Sequence, residues 1–180
     1  MNTSLLLTLT AITSLLLASC GTEAVDQIAT TNTETSISAG GLAQETLREV
    51  NRYRTRNGLP QLQSHSGLQK LAQEHSQAMY RRDKMEHFGF SKRAKYSQKK
   101  FGMRAVSENL HRSWAIVPSA SSIANQWANS PKHRDNMTGN YTHAGLAITQ
   151  VGDNIFTTLL LGEKIEAESS SSGRQPLLNF

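Results

Sequence analysis

The apolar pattern of this chain changes period once, and that switch limits the folds open to it. Up to Trp127 the apolar residues recur at helical spacing. From Ala144 they run as two short blocks, Ala144 to Val151 and Ile155 to Leu161, split by Gly152-Asp153-Asn154. A turn-rich break between two apolar runs predicts a β-hairpin. Before it, Leu42, Leu47, Val50 and Tyr53 share one helical face, and Asn57-Gly58 supplies a stop. Ser66-Gly67-Leu68-Gln69 has capping-box spacing and predicts a second helix. Its apolar stripe is Leu68, Leu71, Ala72, His75, Ala78 and Met79. Ser91 is expected to cap a short third helix containing Ala94 and Tyr96. A fourth follows Pro118-Ser119, with Ile123, Ala124 and Trp127 turned inward. The expectation is an α+β fold, helices around a small antiparallel sheet. The stretch from 42 to 162 is long enough for one buried core.

The flanks carry a different composition. Leu5 to Leu17 is apolar, broken only by hydroxyl residues. It falls short of the ~20 residues that a spanning helix needs. It ends in Leu17-Ala18-Ser19-Cys20-Gly21, which resembles a bacterial lipobox and predicts a signal peptide over 1–19. Residues 2–19 hold no Lys or Arg, so the α-amino group is the only positive charge of that segment. Cleavage before Cys20 would place its thiol at the new N-terminus as the lipidation site. Residues 20–41, rich in Thr, Ser, Ala and Gly, read as a flexible tether. Residues 163–180, with four consecutive serines, read as a flexible tail. Cys20 is the only cysteine of the 180 residues. An intramolecular disulfide and a thiolate metal cage are therefore both excluded.

Chemistry gathers in three separate segments. His87 lies in Met85-Glu86-His87-Phe88, Glu108 in Ser107-Glu108-Asn109-Leu110, and His133 in Trp127-Ala-Asn-Ser-Pro-Lys-His133-Arg-Asp-Asn-Met137. Two imidazoles and a carboxylate suit zinc or a similar divalent metal with one open position. The same groups could instead exchange protons near neutral pH. Spacing does not choose between these, because neither a His-Glu-x-x-His motif nor a Gly-x-Ser-x-Gly elbow is present. Taken singly, each histidine reads more simply as a structural or surface group.

Five motifs in one order make the chain resemble the CAP superfamily, or SCP-like domains, in its bacterial branch. They are Asn51-x-x-Arg54 before Asn57-Gly58-Leu59-Pro60, the His87 segment, Glu108-Asn109-Leu110, the Trp127 segment, and Tyr141-Thr142-His143-Ala144-Gly145. The resemblance covers about Leu42 to Leu161 and implies an α-β-α sandwich. It also implies two histidines and two acids around a cleft that holds a divalent metal in some members. His87, Glu108 and His133 match three of those positions. The fourth, three residues after the tryptophan, is Ser130, so one negative ligand is missing. Asn109, Arg134 and Asn136 are expected to support the cleft. His143 is expected at a strand end or rim, His75 in the core, and His65 and His111 at the surface.

From Arg81 to Arg104 there are nine Lys or Arg residues against Asp83 and Glu86, a local balance of +7. A solvated face is the plain reading; contact with anionic lipid or an acidic envelope polymer is the sharper one. Nucleic acid is set aside, because the chain reads as exported and its aromatic stacking positions are sparse. The preferred reading is a lipid-anchored, extracytoplasmic, non-enzymatic domain. It would meet the membrane through Cys20, need no cofactor, and bind a small or hydrophobic ligand or an envelope component. The alternatives are a metal-assisted hydrolase of peptide or envelope material, and an interaction module with a vestigial cleft.

Overall fold

Ser38 opens the fold. Its hydroxyl accepts the Gly41 N–H at 3.1 Å, and helix α1 (Ala39–Arg56) starts there. The computed structural model describes residues 38–164, so Cys20 and the expected signal peptide lie outside the described residues. Residues 39–41, expected in the tether, form the first turn of α1. Glu163 and Lys164, expected in the tail, end the last strand. In chain order there follow β1 (Gln63–Ser64), α2 (Ser66–Arg81), α3 (Phe90–Phe101), β2 (Met103–Ser113), α4 (Ala120–Asn129), α5 (Pro131–Thr138), β3 (His143–Val151) and β4 (Asn154–Lys164).

Two predicted caps are corrected. Helix α2 is capped by His65, not by a box at Ser66. The Nδ1 lone pair of His65 accepts the Leu68 N–H at 3.2 Å, and Ser66 is already helical. Helix α3 begins at Phe90 behind Gly89, ahead of the expected Ser91 cap. The Ser119 cap of α4 holds, its hydroxyl accepting from Ser122 at 3.1 Å. Pro131 opens α5 at its first turn, where a missing N–H costs nothing.

The sheet order is β1-β3-β4-β2. The expected hairpin is β3 and β4, antiparallel with Val151 opposite Asn154, and Gly152 supplies the positive φ of its two-residue loop. The small antiparallel sheet expected is present in β2, β4 and β3. Gln63 and Ser64 pair with β3 in parallel, giving a mixed sheet. Such a short strand carries no periodic signal. Strand β2, antiparallel to β4, was also not foreseen. Its buried Ser107, Glu108, Asn109 and His111 are polar, which hides the strand pattern.

Helices cover both faces, an α-β-α sandwich. One face carries Leu146, Ile148, Ile155, Leu159 and Leu161 against α1, α4 and α5, with Val50, Ile123, Trp127 and Met137 buried among them. The other carries Ala147, Leu160 and Phe156 against α2, with Leu68, Ala72 and Met79. Each buried Val, Leu, Ile, Phe or Met among them contributes about 1.5–3 kcal/mol by leaving water. Gly145 sets the approach of α2: a Cβ there would lie 2.1 Å from the Gln69 nitrogen. Trp127 is buried and donates its indole N–H to the Leu110 carbonyl at 2.8 Å. Trp114, in the loop after β2, stays 68% exposed.

The Asn51-x-x-Arg54 motif proves architectural. Asn51 exchanges two hydrogen bonds with the Leu62 backbone, at 3.1 and 2.8 Å. Arg54, only 1% exposed, donates to the carbonyls of Pro60, Met137, Gly139 and Tyr141 at 3.0, 2.7, 2.9 and 2.9 Å. Its guanidinium thereby fastens the end of α5 and the approach to β3 onto α1. Burial holds its pKa below the usual arginine value.

Candidate functional site

Strand β2 is an edge of the sheet, and alternation sends its consecutive residues to opposite faces. Glu108 therefore turns toward α2 and α3, while Asn109 turns toward α5. The site is built around this edge. The Glu108 side chain is 1% exposed, and three cationic or imidazole groups converge on it. His87, from the loop between α2 and α3, donates from Nδ1 to Oε1 at 2.9 Å. Arg93 of α3 donates from Nε to Oε2 and from Nη2 to Oε1, both at 2.9 Å. His75 of α2 places Nε2 3.8 Å from Oε1.

His75 thus has a place beyond the core. Its Nε2 donates to the Glu86 carbonyl at 3.0 Å, which fixes the loop that presents His87. Burial pushes its pKa down, against the pull of the Glu108 charge. The bond from His87 Nδ1 to a carboxylate selects the Nδ1–H tautomer of the neutral ring. Nε2 is left as an acceptor lone pair on a side chain 54% exposed. The ring is therefore aimed at solvent with its chemistry set from behind.

His133 arrives from the other face. Its carbonyl accepts from Asn109 Nδ2 at 2.9 Å. Asn136 Nδ2 donates to the Asn109 side-chain oxygen at 2.8 Å and to the Glu108 carbonyl at 3.3 Å. Through these bonds Asn109 and Asn136 join the backbone of α5 to strand β2. Burial and the neighbouring His87 both lower the pKa of the half-buried His133. Arg134 differs from expectation: it is exposed, and its backbone N–H donates to the Ser130 carbonyl at 2.8 Å, an ordinary bond of the first turn of α5. Ser130 sits at the joint of α4 and α5, and its hydroxyl makes no capping bond.

The other histidines divide differently from the sequence reading. His111, expected at the surface, is buried and donates Nδ1–H to Gln126 at 3.1 Å. His65 is half-buried at its cap. His143 is buried at the start of β3, its ring 5.8 Å from that of His65 and bonded to the Thr142 hydroxyl at 2.8 Å. It belongs to a strand end, away from Glu108. Arg93 and His75 were the missed residues of the site. Arg93 was hidden in the basic run, where its helical register beneath β2 is not visible.

The donor set does not fit a divalent metal. Two donors already occupy Glu108, the His87 imidazole and a guanidinium gripping both oxygens. At an effective dielectric of about 20, each pair of like unit charges about 4 Å apart repels by about 4 kcal/mol. A dication beside Arg93 would meet that cost twice over. Among the described residues, no group of three His, Cys, Asp or Glu side chains is arranged to hold a metal ion.

Two open cavities run along α3 beside this cluster. One, of about 510 Å³, is lined by His87, Phe88, Phe90 and Lys92. The other, of about 370 Å³, lies between α2 and α3 and is lined by Lys70, Leu71, Lys92, Arg93, Tyr96 and Phe101.

This fold and these motifs belong to a known class. The family model of CAP, the cysteine-rich secretory protein family, matches residues 47–161, and the chain belongs to that family. Among solved structures it is similar to an outer surface protein of Borrelia burgdorferi, with TM-score 0.59 and 19% identity over 68% of this chain and 92% of that one. An extracellular SCP-domain protein of Bacillus anthracis gives TM-score 0.56 and 24% identity, covering 70% of this chain. A cysteine-rich secretory protein of Staphylococcus aureus gives 0.55 and 16%, covering 71%. The chain spans 41% and 40% of the lengths of these last two. No curated protein matched the sequence.

Proposed function

We propose that this protein is a lipid-anchored extracytoplasmic domain that binds a ligand without turning it over. The ligand has an apolar body and an anionic or hydrogen-bonding head, as a lipid or an envelope component does. The observation that carries this reading is the amphipathic groove between α2 and α3. Its walls are Leu71, Tyr96 and Phe101, and Lys70, Lys92 and Arg93 line the same cavity against a single carboxylate, Glu74. Its volume, about 370 Å³, lies in the range of small-molecule sites. Lys92 also lines the cavity of His87, so one head group could be read from both. Lys92, Lys95, Lys99 and Lys100 are exposed along α3 and supply a basic surround.

The similarity to surface and extracellular proteins supports an extracytoplasmic location. The lipobox-like Leu17-Ala18-Ser19-Cys20 supports anchoring. Binding without turnover agrees with the state of Glu108, whose oxygens are held by Arg93 and His87. A general base must be within reach of the proton it takes, and this carboxylate faces inward.

Native mass spectrometry of the full chain, loaded with anionic or zwitterionic single-chain lipids, tests the reading. Anionic lipid should be retained in preference, and the preference should vanish in Lys70→Glu/Lys92→Glu. Equal retention of both lipids, or retention untouched by the charge reversal, would refute it.

A further inference from the structure

We infer that Arg93 is the resident cation of the cleft and the residue that closes Glu108 to metal ions. The inference concerns the cluster alone and stands whether or not the groove holds a lipid. Glu108 is buried, and a buried carboxylate needs a compensating charge. Arg93 supplies it through a two-pronged grip on both oxygens, with Nη1 anchored at 2.9 Å on the Phe88 carbonyl. A planar fork of this kind matches a carboxylate in a way that a point charge does not. Ser97, four residues on, is fully buried and donates to the Arg93 carbonyl at 2.9 Å, which ties this turn of α3 to the core. The guanidinium is therefore a built-in partner and not a roving surface side chain; its exposure is 13%.

The arrangement has a specificity consequence. His87 and Glu108 offer an imidazole and a carboxylate in contact, a fair start for a zinc site. His75 stands next to them. Arg93 takes the position and the charge that a metal would need. With it in place the cleft reads its ligand by hydrogen bonds donated to His87 Nε2 and by the positive surround. Without it, Glu108 would be an unpaired buried anion against His87, a carboxylate and an imidazole that a divalent cation could bridge with water completing its shell, while His75 Nε2 stays on the Glu86 carbonyl.

Zinc titration by calorimetry tests this on the full chain carrying Cys20→Ser, so that the thiol contributes nothing. The parent should bind no zinc at the cluster. Arg93→Gln, shown folded by circular dichroism, should gain zinc binding at least about tenfold above any residual binding by the parent, the scale on which partners of a ligand tune metal affinity. Adding Glu108→Gln should abolish the gained site. A folded Arg93→Gln that gains nothing would overturn the inference. So would zinc binding by the parent that disappears in Glu108→Gln. Should Arg93→Gln not fold, nitrogen-15 spectra of the parent imidazoles decide. His87 signals unmoved by zinc sustain the inference; signals displaced by it overturn it.

Discussion

Replacing Arg54 by methionine should be among the most damaging single changes in the domain, and the cost can be worked from its bonds. The guanidinium is buried and donates four side-chain hydrogen bonds, to Pro60, Met137, Gly139 and Tyr141. At about 1.5–3 kcal/mol each for charged donors, the gross contribution is about 6–12 kcal/mol. Several kcal/mol of that is offset by taking the charge out of water. Methionine keeps much of the stem volume, so the loss is mostly that of the donors, with four carbonyls left without them. The expected net cost is about 3–5 kcal/mol, the range for removing one side of a buried charged arrangement. Against a usual total of about 5–15 kcal/mol, that is a large share. Arg54→Lys keeps the charge but not the fork, and should cost less, about 1–3 kcal/mol. Urea unfolding followed by far-ultraviolet circular dichroism gives both values. A methionine variant within about 1 kcal/mol of the parent, with an unchanged slope, would refute the view that these bonds fasten α5 to α1.

Acid should weaken the fold earlier than its carboxylates alone would require. His65, His75, His111 and His133 all have pKa values lowered from 6.5, with burial the largest cause in each. The unfolded chain then binds more protons, so stability rises with pH and falls as pH drops below about 6.5. The loss levels off below the lowered folded values. A urea midpoint that holds steady or rises from pH 7.5 to 5.5 would contradict this. At the other end of the chain, Cys20 should carry a diacylglyceryl group, whose two chains suffice for stable anchoring. Cys20→Ser should shift the protein from the membrane to the soluble fraction, and an unmodified Cys20 in the intact mass of the mature protein would sink the proposal.

The helices were legible wherever an apolar stripe met one side of the sheet. Leu42, Val50, Ile123, Ala124 and Trp127 are buried as their spacing requires. The β3–β4 hairpin was legible because both of its strands are apolar and the turn residues are specific. Strand β2 was not, because its inward side chains are the site itself. Glu108, Asn109 and His111 are polar where a core strand would be apolar. The edge of the sheet thus traded pattern for chemistry. His87 and Glu108 could be paired from the family motifs, and they do meet. Arg93 could not be singled out, since only the turn of α3 distinguishes it from Lys92 and Lys95. Nor could the parallel pairing of Gln63 and Ser64, which depends on where α2 starts.

Trp114 and Trp127 are the only two tryptophans, and they stand in opposite surroundings. The chain therefore carries two optical reporters that can be read apart. Trp127, sealed beneath the sheet, emits to the blue and resists a dissolved quencher until the core opens. Trp114, with the Arg112 guanidinium 5.7 Å from its ring, emits to the red and is quenched at once. In Trp114→Phe the remaining emission follows global unfolding alone. The difference between the two spectra isolates the loop after β2, so events at that end of the sheet can be timed against events in the core without attaching a dye.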